Sequence, residues 1–219
     1  AALAPVALRA QQLGALRACF SPGCLALPGW WACLAGVSLN YFMHAFIWNC
    51  GKSYVELCKG PLRPLGDDPV EVFATLEIVA KVIQGGSLVA YLGTSGLAAA
   101  WASLVSAPLV CWAGLAVFVA MGQALNFATY AAIGKVGVYY GFKFGRTVPW
   151  CYGFPFNTGL RHPQYLGVVL TLWGALLVLI CDNLAAVGIP QLVFAWGAMY
   201  VVMCIMEQSG DNTPEEKAQ

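Results

Sequence analysis

Three windows of this chain hold no Lys, Arg, Asp or Glu: Arg17 to Lys52, Lys81 to Lys135, and Asp182 to Glu207. Each is long enough for at least one apolar span of about 20 residues, the length that crosses a bilayer as a helix. Refined by the polar residues between them, the pattern predicts five membrane helices, near 27–49, 70–98, 109–133, 164–181 and 184–206. Trp30, Trp31 and Trp48 mark the two ends of the first as an interfacial aromatic belt would. The prolines and charges of 50–69 predict a polar loop, 93–108 a weak connection, and Asp182–Asn183 a tight turn that makes the last two spans a hairpin.

The expected fold is therefore all-α, a polytopic membrane helix bundle of about five transmembrane helices. It divides into an N-terminal segment (1–26), a helical domain (27–206) with a Gly- and aromatic-rich loop at 134–163, and a polar tail (207–219). The first segment is Ala/Leu-rich, carries Arg9 and Arg17 and has no acid. It reads as the remnant of a processed organellar presequence or as an amphipathic surface helix.

Composition agrees: 60% of the 219 residues are hydrophobic and only 10% charged, with mean hydropathy +0.71, against about a quarter charged in ordinary soluble domains. A net charge of +1 offers no dense basic face, so nucleic acid is not an expected partner. Nine cysteines without a C-x-x-C pair read as small apolar side chains, and no metal is expected. Five spans put Lys52, Lys59, Arg63, Lys135, Lys143, Arg146, Arg161 and Lys217 on one face, against Arg9 and Arg17 opposite. The positive-inside rule makes the richer face cytosolic, or stromal or matrix in an organelle. The placement also brings Glu207, at the end of the last span, to the same face as Arg161 and His162.

Residues 153–167, GFPFNTGLRHPQYLG, concentrate the polar chemistry. Polar and ionisable groups beside a membrane helix are costly, which makes Arg161, His162, Asn157 and Tyr165 site candidates. An interfacial loop with an aromatic anchor and a snorkelling Arg is the structural alternative. With Glu207, the set suits a zwitterionic cofactor. Arg161 would clamp a carboxylate, Glu207 an ammonium or ribose hydroxyl, and His162 a ring nitrogen or carboxylate. Tyr165, Phe154 or Trp150 would stack on a purine or face a cationic sulfonium. Within the second span, Glu77 and Lys81 are spaced to pair on one helix face.

RHPQYLG followed some forty residues later by a helix ending at Glu207 resembles the signature of small membrane methyltransferases that use S-adenosylmethionine. These include isoprenylcysteine carboxyl and phosphatidylethanolamine N-methyltransferases. YYGFKFG at 139–145, GFPFN at 153–157, Pro163, Tyr165, Gly167 and Trp173–Gly174 resemble the phosphatidylethanolamine branch. The resemblance implies a phospholipid N-methyltransferase of an endoplasmic reticulum or organellar (mitochondrial or plastid) membrane. S-adenosylmethionine would lie on Arg161, His162, Tyr165 and Glu207, with Gly122 nearest to the family's glycine turn. Glu207 and His162 would be the catalytic pair. Tyr139, Tyr140, Phe154, Phe156 and Asn157 would meet the membrane lipid, whose neutral amine attacks the sulfonium methyl. Two departures stand out: Glu207 is followed by Gln208 where the family has a second acid, and Gly122-Gln-Ala124 is a degenerate glycine turn.

Those departures keep a second reading open, a non-catalytic subunit of a larger respiratory or photosynthetic complex, partnered by other subunits. His44, Asn40 and Asn126 would then contact pigment or haem, although a lone intramembrane His more commonly bonds a neighbouring helix. A transporter finds no support, because no internal repeat or broken helix pair is present.

Overall fold

Proline sets where three of the long helices begin. Pro28, Pro69 and Pro163 each sit in the first turn of a helix, where the missing N–H is no loss and the fixed φ suits entry. The computed structural model describes residues 22–210, all-helical among them with no strand. The expectations for the remaining N-terminal residues, Arg9 and Arg17 included, and for the tail from 211 with Lys217 lie outside the described residues. The helices are α1 (Pro28–Asn49), α2 (Gly51–Lys59), α3 (Pro69–Ser95), α4 (Leu97–Ser106), α5 (Leu109–Val138), α6 (Pro163–Leu179), α7 (Asp182–Ala186) and α8 (Ile189–Gly210).

By length and composition, three helices can cross a membrane: α3, α5 with its extension to Phe144, and α8. The chain is a multi-pass membrane protein. The other two expected spans are helices of a different kind. α6 has 17 residues, about 25 Å at 1.5 Å per residue. α1 has 22 but buries Ser38, Asn40 and His44 along with its apolar positions.

Three local expectations are corrected. The supposed loop 50–69 contains α2, whose Tyr54 and Cys58, four residues apart, turn one face into the core. The connection 93–108 is mostly α4, because the Ala- and Leu-rich run between Gly96 and Pro108 is strongly helix-forming. Asp182–Asn183 open the short helix α7 rather than a bare turn, whereas α5 is interrupted at Gly134, just past its expected end at 133, with a short helical stretch continuing to Val138.

The long helices pack in the order α3–α1–α8–α6–α5. At the α5–α6 contact, a Cβ on Gly122 would stand 2.4 Å from the Gly167 carbonyl oxygen, and one on Gly167 equally close to that of Gly122. The two backbones touch there, as small residues permit between membrane helices.

One end of this row is drawn together. Gly134, at φ 65°, breaks the α5 helix in a conformation glycine adopts freely, and the chain beyond it reaches back to α3. Lys135 there pairs with Glu71, and Arg146 with Asp68 at 2.9 Å. Ile47, Trp48, Tyr54, Phe73, Tyr139 and Tyr140 form the apolar core of this end. A second core at the opposite end gathers Trp30, Tyr91, Leu184, Ile189 and Leu192.

Candidate functional site

The drawn-together end holds a cavity enclosing about 680 Å³, its open mouth included. Trp48, Phe142, Trp150 and Phe156 supply aromatic walls, and Arg161, His162 and Glu207 supply the charge.

Glu207 is 4% exposed and fully engaged. Its Oε1 accepts hydrogen bonds from the hydroxyls of Tyr140 and Tyr165, the latter at 2.5 Å. Its Oε2 is 3.3 Å from His162 Nδ1. Each partner is placed by a local device. Tyr140 lies in the left-handed region (φ 54°) just after α5, where its ring turns inward. His162 immediately precedes the proline that starts α6, and its ring stacks on Tyr165 at 5.6 Å and 8°. Arg161 is exposed at the rim and makes no hydrogen bond or ion pair among the described residues. It is a cation available to an anionic ligand.

The structure thus gathers Arg161, His162, Tyr165, Glu207, Tyr140 and Phe156 around one cavity. Four expected residues stand elsewhere. Gly122 is consumed by the α5–α6 seam rather than forming a cofactor turn. Tyr139 is buried, with its hydroxyl accepting from Tyr130 at 2.8 Å. Phe154 and Asn157 are exposed on the loop and do not line the cavity. Gln208, in place of a second acid, is exposed. Successive residues on a helix do not share a face, so an acid there would point away from the carboxylate that matters.

Behind the cavity runs a polar line that sequence reasoning did not assemble. Tyr140 Oη lies 2.9 Å from His44 Nδ1, and His44 Nε2 lies 3.0 Å from Glu77 Oε2. Glu77 Oε1 accepts from Asn40 Nδ2 and pairs with Lys81 Nζ, both at 3.0 Å. The expected Glu77–Lys81 pair is present, but Glu77 is buried and serves three partners. His44 bonds a neighbouring helix, as a lone membrane histidine commonly does. The usable signal was cost: His44 and Glu77 are ionisable residues inside apolar helices, and such groups seek each other.

An aromatic cavity with a free guanidinium at its rim, and a carboxylate floor held by two tyrosines and a histidine, can seat a zwitterion. It can also draw a proton from a cationic amine. Among the described residues no group of three or more His, Cys, Asp or Glu side chains is placed to hold a metal ion. Such a site, at one end of an all-helical membrane bundle, is of the kind a membrane-embedded group-transfer enzyme requires.

The sequence comparisons make that class specific. The chain belongs to the phospholipid methyltransferase family, whose profile matches residues 109–209, the stretch from α5 through α8. It is 33% identical over 184 residues to a phosphatidyl-N-methylethanolamine N-methyltransferase of Arabidopsis thaliana, a match covering 84% of this chain and 94% of that protein. No solved structure matches. Membership makes the chain a lipid methyltransferase and disfavours the structural-subunit alternative. S-adenosylmethionine is the general methyl donor of such enzymes, as the resemblance implied.

Proposed function

We propose that the protein methylates the headgroup amine of phosphatidylethanolamine or its methylated derivatives, phosphatidyl-N-methylethanolamine among them, with S-adenosylmethionine as donor. The observation that carries this reading is the meeting of His162 and Glu207 at 3.3 Å beside Arg161, which has no partner among the described residues, in one aromatic cavity. The donor set fits the cofactor: Arg161 would hold its carboxylate, and His162 and Glu207 its ammonium and hydroxyl groups. When bound, it supplies a methyl group on a sulfonium.

The chain's own residues bind, orient and neutralise. Glu207 takes the proton of the incoming ammonium so that the nitrogen lone pair becomes available. Trp48, Phe142 and Trp150 present ring faces suited to the increasingly methylated cation. One face of Trp48 is already covered by Lys143, whose Nζ is 3.6 Å from the ring centroid. Holding amine and methyl in line is itself the larger part of such catalysis. The partners are membrane lipids, in an endoplasmic reticulum or organellar bilayer, with the basic end of the bundle on the cytosolic, stromal or matrix side.

The test is transfer of labelled methyl by purified protein in liposomes containing phosphatidylethanolamine or its mono- or dimethyl form. Label is expected in at least one lipid and lost in Glu207→Gln. A protein that binds the cofactor yet labels none of the three would overturn the reading.

A further inference from the structure

The cavity uses Arg161, His162 and Glu207, but leaves the line from Tyr140 to Glu77 without a task. Methylating an ammonium headgroup releases one proton. The nitrogen sheds an N–H, its lone pair forms the new N–C bond, and the donor's C–S bond breaks to leave a neutral thioether. The product nitrogen is again cationic. If Glu207 kept the released proton, it would be neutral when the new cation most needs a counter-charge.

The contacts around Tyr140 show where that proton can go. Its hydroxyl oxygen touches His44 Nδ1 at 2.9 Å, Tyr165 Oη at 2.9 Å and Glu207 Oε1, and it has one proton to give. With His44 carrying a single proton on Nε2, toward Glu77, Tyr140 faces two acceptors, Nδ1 and the carboxylate. A proton arriving on Glu207 removes the shortage. Glu207 passes it to the Tyr140 oxygen while Tyr140 passes its own to His44 Nδ1. The imidazolium then donates to Tyr140 and to Glu77, both tyrosines donate to Glu207, and Glu207 is again an anion. Glu77 is ready as counter-ion, held by Asn40 and Lys81 at 3.0 Å each.

We propose that Tyr140, His44 and Glu77 form a proton relay in which His44 holds the proton released at Glu207 while the new cation occupies the cavity. The proton returns by the same line to Glu207 and the cavity's solvent once the product has left. The proposal rests on the amine-methylating reading above. Besides Glu77, with Lys81 behind it, the titratable groups around His44 are Tyr140, Tyr165 from α6, Tyr200 from α8 and Tyr41 from α1 itself; Glu207 is reached through Tyr140.

The chain has only two histidines, so ¹⁵N-histidine NMR of the full chain in nanodiscs, without cofactor, reads His44 directly once His162→Gln removes the other signal. In that background Glu207→Gln is expected to lower the proton affinity of His44 about tenfold. With Tyr140→Phe added, the Glu207→Gln effect should shrink below about threefold, since only through-space attraction then remains. An equal effect with and without the tyrosine hydroxyl would overturn the relay.

In turnover, His44→Gln and Tyr140→Phe should each lower kcat about 100-fold with cofactor affinity retained. The defect should narrow as pH rises, because more of the substrate amine is then neutral on its own. Glu77→Gln serves where His44→Gln does not fold, with the same expectation. A pH-independent defect, or kcat within about threefold of the parent, would refute the relay. A parent protein that labels no lipid amine defeats the functional reading and the relay's role with it, whereas an active parent with an uncoupled His44 defeats the relay alone.

Discussion

Two histidine–carboxylate pairs lie on either side of Tyr140, and they differ in everything but chemistry. His162 and Glu207 meet at 3.3 Å at the cavity, next to open space and to Arg161, which is unpaired among the described residues. His44 and Glu77 meet at 3.0 Å between α1 and α3, with Asn40, Lys81 and Tyr140 completing their shell. The cavity pair has somewhere for a ligand to go, whereas the interior pair is saturated by the protein itself. A buried ion pair is weak support for stability, since desolvation offsets much of its attraction. The saturation of Glu77 by three donors is what makes its burial tolerable. The contrast teaches that the same two side chains can line an open cavity or be closed off as a buried element according to what surrounds them.

Glu207→Ala should separate the pairs most sharply. Methyl transfer is expected to fall about 1,000-fold or more, because the proton acceptor and the anchor of both tyrosines are lost together; survival of a tenth of the activity would break the contrast. Glu77→Ala should act on the other axis, destabilising the protein by about 3 kcal/mol or more by leaving His44 and Asn40 buried without their acceptor. Thermal unfolding in detergent with cofactor affinity measured alongside checks it, and a melting point equal to the parent's would refute the structural role.

Arg161→Ala should weaken cofactor binding about 10- to 100-fold by calorimetry, as expected for losing a charge-assisted bidentate contact, without moving the melting temperature. An unchanged affinity would place the carboxylate elsewhere. Gln208→Glu, which restores the acid pair typical of the family, should change kcat/KM less than about twofold, because position 208 is exposed and adjacent helix positions face apart. A large gain in the methyl-transfer assay would show that the second acid reaches the site after all.

Much of the cavity was legible because its residues are close in sequence or set at helix ends. RHPQY places Arg161, His162 and Tyr165 within one turn of the start of α6, and a charge-free span leading to Glu207 implies that this carboxylate returns to the same end. Gly122 misled because glycine in a membrane helix satisfies two needs alike, ligand approach and helix contact, and only its juxtaposition with Gly167 distinguishes them. Tyr139 and Tyr140 are adjacent aromatics that composition cannot rank. A left-handed turn sends one to Glu207 and the other into the core beside Tyr130.

By itself, the sequence determined the all-helical membrane character, the proline-marked starts of three long helices and the end of the bundle where charge collects. Hydropathy, proline and charge are local properties, and a bilayer leaves an apolar span little choice but to be helical. Only the tertiary structure decided that α1 and α3 bring His44 to Glu77, and that the chain beyond Gly134 swings Tyr140 between that pair and Glu207. Those meetings depend on how helices rotate and cross, which is set by side-chain packing between segments far apart in the chain and is written in no single stretch of it.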